Sequence, residues 1–263
     1  MKQAIVTGAS KGLGKVFAHE LATAGYDLLL IARSEKSLSE HAGQLSQTHR
    51  IQASVLPLDL SDPDSFSKIV QWCQQHNFQP SVLINNAGYA CWGYFDKIEL
   101  TQHQQMLQVN IHAMVNLTHG VIPLMRKHKK SFILNVASTA AFQAVPSMTL
   151  YAASKAFVRS FSRGLRYELR NTGISVTCLS PGPVATNFIQ QAGMEAMQET
   201  AKKFEMSAQE VARKGLKAMF QGKAECVPGL LNYLTVTFSN VIPDWLLEKI
   251  AGNLYISKIK DRG

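Results

Sequence analysis

With 263 residues, 46% hydrophobic and 17% charged, the chain has the length and apolar content for one large folded domain, and it is too apolar for intrinsic disorder. The net charge of +9 suits anionic partners, but the basic residues are scattered. Their densest cluster, Arg126-Lys127-His128-Lys129-Lys130, falls where a helix should end and cations suit the helix dipole, so no nucleic-acid partner is expected.

The chain opens with a short apolar strand, Gln3–Thr7, with no apolar leader run before it, so no secretory signal peptide is expected. A glycine turn, Thr7-Gly8-Ala9-Ser10-Lys11-Gly12-Leu13-Gly14, leads into a helix reaching about Ala24, with Gly25 as its stop. Tyr26–Ala32 is a nearly continuous apolar run, as expected of a strand covered on both faces. A polar helix over about 35–48 and a strand over 51–56 follow. Asp62 as N-cap with Pro63 at the first position opens another helix, and 81–85 is a fourth strand. Thr101 and Gln104 read as a capping box for a long helix to about Lys127, kinked near its end by Pro123.

Ser131–Val136 is a fifth strand, a helix carries Tyr151 and Lys155 to about Arg170, and 175–179 is a sixth strand. Ser207 and Glu210 form a second capping box for a helix ending near Gly222. From Glu225 onward the chain is apolar but less periodic; Pro, Gly, Asn, Ser and Thr interrupt the uncharged stretch 226–243, a poor membrane span. Strands alternating with helices of ten or more residues predict βαβ units around a parallel sheet, in one domain over 1–263. Cys73, Cys91, Cys178 and Cys226 form no C-x-x-C pair and have no histidine at metal spacing, so a reduced, cytoplasmic, metal-free protein is expected.

Several of these turns carry chemistry. In T-G-x-x-x-G-x-G between the first strand and first helix, glycines let the backbone approach a pyrophosphate at the helix N-terminus. Asn85-Asn86-Ala87-Gly88 and Pro181-Gly182-Pro183-Val184-Ala185-Thr186 both follow strands, at the end of the sheet where such ligands sit. Asn110 falls inside a helix, where asparagine is a poor former. Tyr151 and Lys155, four residues apart, share a helix face, and a cation within about 4–6 Å of a phenol lowers its pKa, which suits a general acid or base. Ser138 can hold a substrate oxygen beside them. The second strand ends Ile31-Ala32-Arg33-Ser34 without the acid that bonds a ribose 2′-hydroxyl; Arg33 and Lys11 instead suit a 2′-phosphate.

Together, in this order and spacing, these motifs resemble the short-chain dehydrogenase/reductase family, closely over residues 3–190. The departures, Leu13 for a usual isoleucine and Ala137 for a common serine, leave the chemistry untouched. The resemblance implies a Rossmann-type doubly wound sheet of about seven strands in the order 3-2-1-4-5-6-7. It implies that Tyr151 exchanges a proton with the substrate oxygen, that Lys155 lowers the tyrosine pKa and bonds the nicotinamide ribose, that Ser138 holds substrate, and that Asn110 supports a water chain. NADP(H) would be held by Gly8, Ser10, Lys11, Gly12, Leu13, Gly14, Arg33, Asp59, Leu60, Asn86, Ala87, Gly88, Tyr151, Lys155, Pro181, Gly182, Val184 and Thr186. Trp92, Phe142 and Phe188, in loops without a cation to grip a small acid, are expected to form an apolar pocket with Ser138 and Tyr151.

The expected activity is carbonyl/secondary-alcohol interconversion on a largely apolar small molecule, like ketoacyl or hydroxysteroid reductases. A catalytically silent dinucleotide sensor or scaffold on the same fold is the alternative, though such proteins usually lack the tyrosine or lysine. The apolar positions Phe157, Phe161, Leu165 and Leu169 read most simply as core against the sheet, while the family's habit of pairing through this helix implies a homodimer or homotetramer. Residues of about 185–256 are expected to cover the substrate, with a subunit contact or peripheral membrane contact as the other roles for their apolar side chains.

Overall fold

The computed structural model describes residues 2–239 and 241–260. Its centre is a seven-stranded, wholly parallel sheet built from β1 (Gln3–Thr7), β2 (Asp27–Ala32), β3 (Ala53–Pro57), β4 (Val82–Asn85), β5 (Ser131–Val136), β6 (Ile174–Leu179) and, at the far edge, β9 (Glu225–Cys226). The order is β3-β2-β1-β4-β5-β6-β9, so it reverses between β1 and β4. Connections from β1 run to one side and from β4 to the other, which leaves a crevice beyond the strands' carboxyl ends at that point. The seventh position is filled by a two-residue strand from the stretch that showed least periodicity. A separate two-stranded ladder joins β7 (Val184–Ala185) to β8 (Met206–Ser207).

Alternation along the strands builds two cores. Ala4, Val6, Leu28 and Leu30 face α1 (Gly12–Thr23), α2 (Glu35–His49) and α9 (Ala208–Phe220), meeting Phe17, Leu21, Leu38, Val211 and Met219. Ile5, Leu29, Ile31, Leu83 and Ile133 face the other way, onto Ile69 and Cys73 of α3 (Ser65–Gln75) and Leu117, Val121 and Met125 of α5 (Met114–Met125). Each fully buried aliphatic side chain contributes roughly 1.5–3 kcal/mol, so the sheet is held firmly from both faces.

Two helix starts differ from expectation. Asp62 does not cap a helix at Pro63: its Oδ1 accepts from the Asp64 N–H (3.0 Å) and its Oδ2 binds Lys68 Nζ (2.7 Å). This local turn competes with the helix, which begins at Ser65. Thr101 caps nothing either, because α4 (Leu100–Leu107) starts one residue earlier, behind Glu99. Ser207, by contrast, caps α9 by accepting from the Glu210 N–H at 3.1 Å.

The expected long helix is α4, a π-helical turn over Gln108–Ala113, and α5, which carries Pro123 inside it. The helix α6 (Thr149–Glu168) turns Tyr151, Ser154, Lys155, Val158 and Ser162 inward. Phe157 therefore lies 41% exposed, stacked on Phe161 at 5.9 Å, rather than in the core; Leu169 at the far end is buried. After β6 come the short α7 (Phe188–Gln191) and α8 (Gln198–Lys202), then α10 (Leu230–Ser239) and α11 (Asp244–Lys260). Among the described residues no helix is long and apolar enough to cross a membrane.

Candidate active site

The crevice at the strand reversal begins with the glycine turn. Gly8 and Gly12 hold left-handed φ angles of +67° and +55°, where a side chain would be strained. Gly14 has a different reason: a Cβ there would collide with the Gly8 carbonyl, so only glycine lets α1 start against the turn. Asn86 locks this turn to the loop after β4. Its Nδ2 donates to the Thr7 carbonyl (2.9 Å), while Thr7 Oγ1 accepts from the N–H groups of Asn86 (3.0 Å) and Ala87 (3.1 Å). Side chains thus close the junction of β1 and β4 without using the turn's outward N–H groups.

The next wall is made by α6. Lys155 is buried, and its Nζ donates to the Val136 carbonyl at the end of β5 (3.0 Å). A Cβ on Gly88 would lie 3.2 Å from Lys155 Nζ and 3.0 Å from Asn110 Oδ1, so the bare glycine makes room for both. Asn110 sits in the π-helical turn with both ends of its amide engaged: Oδ1 accepts from the Tyr89 N–H (3.0 Å), and Nδ2 donates to the Tyr89 carbonyl (3.0 Å) and Ser154 Oγ (3.1 Å). It clasps the loop after β4 to α6 and so fixes the helix that carries Tyr151 and Lys155.

The electrostatics correct one expectation. Burial pushes the Tyr151 phenol up to about 12, with the Ser138 hydroxyl acting against it, and pushes Lys155 down to about 8. Lys155 Nζ stands 5.7 Å from the Tyr151 ring centroid, but desolvation outweighs its help to the phenolate. The tyrosine is accordingly a neutral phenol at physiological pH, the form needed by a proton donor. Ser138, at the end of β5, accepts from the Ala140 N–H (3.1 Å), which fixes its hydroxyl at the mouth of the next turn.

One cavity of about 1200 Å³ runs from the glycine turn past Tyr151 to α10 and α11. It is larger than the roughly 300–1,000 Å³ typical of a single small-ligand pocket. Gly8, Ser10, Lys11, Gly12, Leu13, Arg33, Asp59, Leu60, Asn86, Ala87, Gly88, Ser138, Tyr151, Lys155, Pro181, Gly182, Val184, Thr186 and Phe188 all line it. Its charged residues, Lys11, Arg33, Asp59 and Lys155, lie in the turn and strand-end half; the other half presents Met194, Met197, Leu231, Phe238, Leu254 and Tyr255. Asp59 Oδ1 is engaged by the backbone N–H (2.9 Å) and hydroxyl (2.8 Å) of Ser61.

Four expected residues lie off the cavity wall. Gly14 packs beneath the turn and Asn110 behind the loop. Trp92 is turned into the core, where its indole N–H donates to Ser147 Oγ (3.0 Å) and its ring packs with Met106 and Val145. Phe142 lies under the Arg159 guanidinium, 4.1 Å from the ring centroid, and packs against the buried cluster of Met114, Ala137, Ala141 and Val158. Neither ring faces the cavity, because each finds a partner elsewhere. Sequence reading missed Asn232 and Tyr255, both lining residues from the C-terminal helices. A lone asparagine in a charge-free apolar run was the available signal for the first.

The turn, the glycine cradle and the paired cations fit a dinucleotide. They leave space where side chains would fill it, and Lys11 and Arg33 bring positive charge to the same half of the cavity. Comparison with known proteins agrees. A family profile described as short chain dehydrogenase matches residues 2–198. Hydroxysteroid dehydrogenase-like protein 1 of Gallus gallus is 30% identical over 247 residues, covering 92% of this chain and 72% of that protein. The very-long-chain 3-oxoacyl-CoA reductase of Anas platyrhynchos is 37% identical over 188 residues, covering 70% of this chain but 60% of the reductase's own length. Among solved structures, a short-chain dehydrogenase from Sphingobium yanoikuyae in complex with NADPH superposes with a TM-score of 0.80 at 26% identity, covering 92% of this chain and 94% of that one.

Proposed function

Since this chain belongs to the short-chain dehydrogenase family and is an oxidoreductase of it, we propose that it uses NADP(H) to interconvert a carbonyl and a secondary alcohol on a largely apolar small molecule. The observation that carries this reading is the single cavity joining the glycine turn, Arg33 and Lys11 to Tyr151, Ser138 and an apolar chamber. Arg33 offers a planar fork to a 2′-phosphate, and no acid stands at the end of β2 to repel it. Names of relatives point the same way: an NADPH complex among the structures, and a steroid-dehydrogenase-like protein and a long-chain oxoacyl reductase among the sequences.

The bound nicotinamide supplies or accepts the hydride. The chain's own residues manage the oxygen. Ser138 holds it at the end of β5, and Tyr151, neutral because it is buried, gives its proton to the alkoxide that forms in reduction. Lys155 would hold the ribose hydroxyls when the cofactor is bound, and burial keeps its own pKa down to about 8. Asn110 acts as a positioning residue through Tyr89 and Ser154. We assign residues 185–256 as the substrate cover of a one-domain protein and expect a homodimer or homotetramer, with the exposed Phe157 in the contact.

The test is consumption of NADPH and NADH by the purified protein against ketones, aldehydes, ketoacyl thioesters and steroids, with Tyr151→Phe as control. Reduction of an apolar carbonyl, faster with NADPH and lost in the variant, is expected. Tight binding of NADPH with no turnover on any class would favour a silent sensor, and a preference for small acids would refute the apolar assignment.

A further inference from the structure

The helix α10 is packed inside out. Its buried positions are Asn232, Val236 and Ser239, two of them polar, while Leu230 (74%), Leu231, Tyr233 and Phe238 (58%) are exposed. A helix that faces water does the reverse and turns its apolar stripe inward. The pattern continues past its end, where Val241, Trp245 (65%), Ile250 and Leu254 are exposed as well. Of the sixteen large apolar side chains exposed among the described residues, nine fall between Leu230 and Leu254. Single exposed apolar residues are ordinary, but a concentration of this kind marks a surface that something covers.

Two observations identify the cover. The first is continuity with the cavity. Leu231, Leu234, Phe238, Ile250 and Leu254 are exposed and also line it, whereas Leu230, Tyr233, Val241 and Trp245 are exposed without lining it. The apolar surface therefore passes from the chamber over its rim to the outside. A second copy packed dry against this face would close that rim. Fluid lipid covers the same side chains and still lets an apolar solute through.

The second observation is charge. No charged residue stands between Cys226 and Pro243, and α11 opens with both signs, Asp244 and Glu248 beside Lys249. A strongly acidic or basic partner finds nothing to match here, while an acyl layer matches an uncharged face. Exposed Trp245 and Tyr233 have the amphipathic rings that suit a lipid–water boundary. Among the described residues no helix is long and apolar enough to cross a membrane, so α10 and α11 would lie on the bilayer and not through it.

We propose that this face docks on a phospholipid bilayer, with the rim of the chamber turned toward the acyl chains. A neutral carbonyl compound dissolved in the lipid then enters the apolar half of the cavity without a water-soluble carrier. That last step rests on the functional reading above; the docking itself does not.

Trp245 makes the face its own reporter. The full chain is titrated with phosphatidylcholine vesicles, with and without lipids brominated on the acyl chains, which quench a tryptophan they touch. Quenching is expected in the wild type, and what remains in Trp245→Phe measures the background from Trp72 and Trp92. In that background Phe238→Trp should restore the quenching, because residue 238 stands on the rim. Leu230→Glu combined with Trp245→Glu puts acids in the first turns of two helices, where the dipole tolerates them, and neither residue lines the cavity. This variant should lose at least about tenfold in vesicle co-sedimentation.

A wild type that stays in the supernatant and is not quenched overturns the proposal. If its sedimenting mass then exceeds 29.0 kDa and falls in the double-glutamate variant, the face belongs to a second copy. Binding that needs anionic lipid and vanishes in about 0.5 M salt also overturns it, because the net charge of +9 then accounts for the attraction. Should the double variant fail to melt cooperatively, quenching at positions 245 and 238 decides: its presence supports the docking and its absence overturns it. NADPH binding is measured in parallel without vesicles. Docking without NADPH binding supports the surface and removes the functional reading, and NADPH binding without docking does the opposite.

Discussion

If Lys155 holds the cofactor ribose as an ammonium, cofactor affinity must depend on pH in a range set by its burial. Burial lowers the lysine from 10.5 to about 8. Between those values the folded protein carries fewer protons than the unfolded chain, so this group makes stability rise with pH across that window. Cofactor binding runs the opposite way, because it needs the proton back. Below pH 8 the dissociation constant should be flat. Above it the constant should rise about tenfold per pH unit, reaching roughly 30-fold at pH 9.5.

Tyr151, near 12, is silent over that range. Calorimetry of NADP(H) binding at pH 7, 8, 9 and 9.5, in buffers of different ionisation heat, reads both the affinity and the proton count. Uptake approaching one proton at pH 9 is expected, and Lys155→Met should flatten the profile. Constant affinity to pH 9.5 in the wild type, or proton release on binding, would refute the reasoning.

Tyr151→Phe keeps the ring and removes the proton, so turnover should fall at least about 10²-fold with cofactor binding near wild type; equal turnover would sink the mechanism. Arg33→Ala should erase much of an NADPH preference on the order of 10²–10³-fold, shared with Lys11, as read by fluorescence titration of both reduced cofactors. Gly14→Ala drives a methyl into the Gly8 carbonyl and should cost about 1–3 kcal/mol in denaturant melts, with a matching loss of dinucleotide affinity. Analytical ultracentrifugation at micromolar concentration should give a dimer or tetramer, and Phe157→Glu should shift it toward the 29.0 kDa monomer.

Sequence pattern located the sheet well where strands are buried on both faces. β1 and β5 have the expected bounds, because each has a central apolar run, Ala4–Val6 and Phe132–Leu134, and is closed soon after by the glycine turn and by Ser138. Patterning failed where side chains compete with backbone, as at Asp62, or where a ring has two choices of partner. Nothing in the spacing says that Trp92 will find Ser147 or that Phe142 will lie under Arg159. The motifs after β1, β4, β5 and β6 reach one cavity because the sheet gathers strand ends, and α6 brings Tyr151 and Lys155 to the same place. Asn232 and Tyr255 reach the cavity only through the packing of α10 and α11, and no local rule encodes that. The expected lowering of the Tyr151 pKa was a pairwise argument, and the structure adds the burial that reverses it.

The π-helical turn at Gln108–Ala113 also constrains how this segment can change in length. It holds one residue more than an α-helical turn would, and each residue of helix turns the chain by about 100°. Downstream, Leu117, Val121 and Met125 are phased onto the sheet; upstream, His103 and Met106 are buried against other partners. Deleting a single residue between 108 and 113 would restore a regular helix with α4 and α5 in their present phase, so the damage would fall on the bulge itself and carry Asn110 off Tyr89. A one-residue gap here should be far more damaging than most point substitutions, and a compensating insertion within the same turn should rescue it.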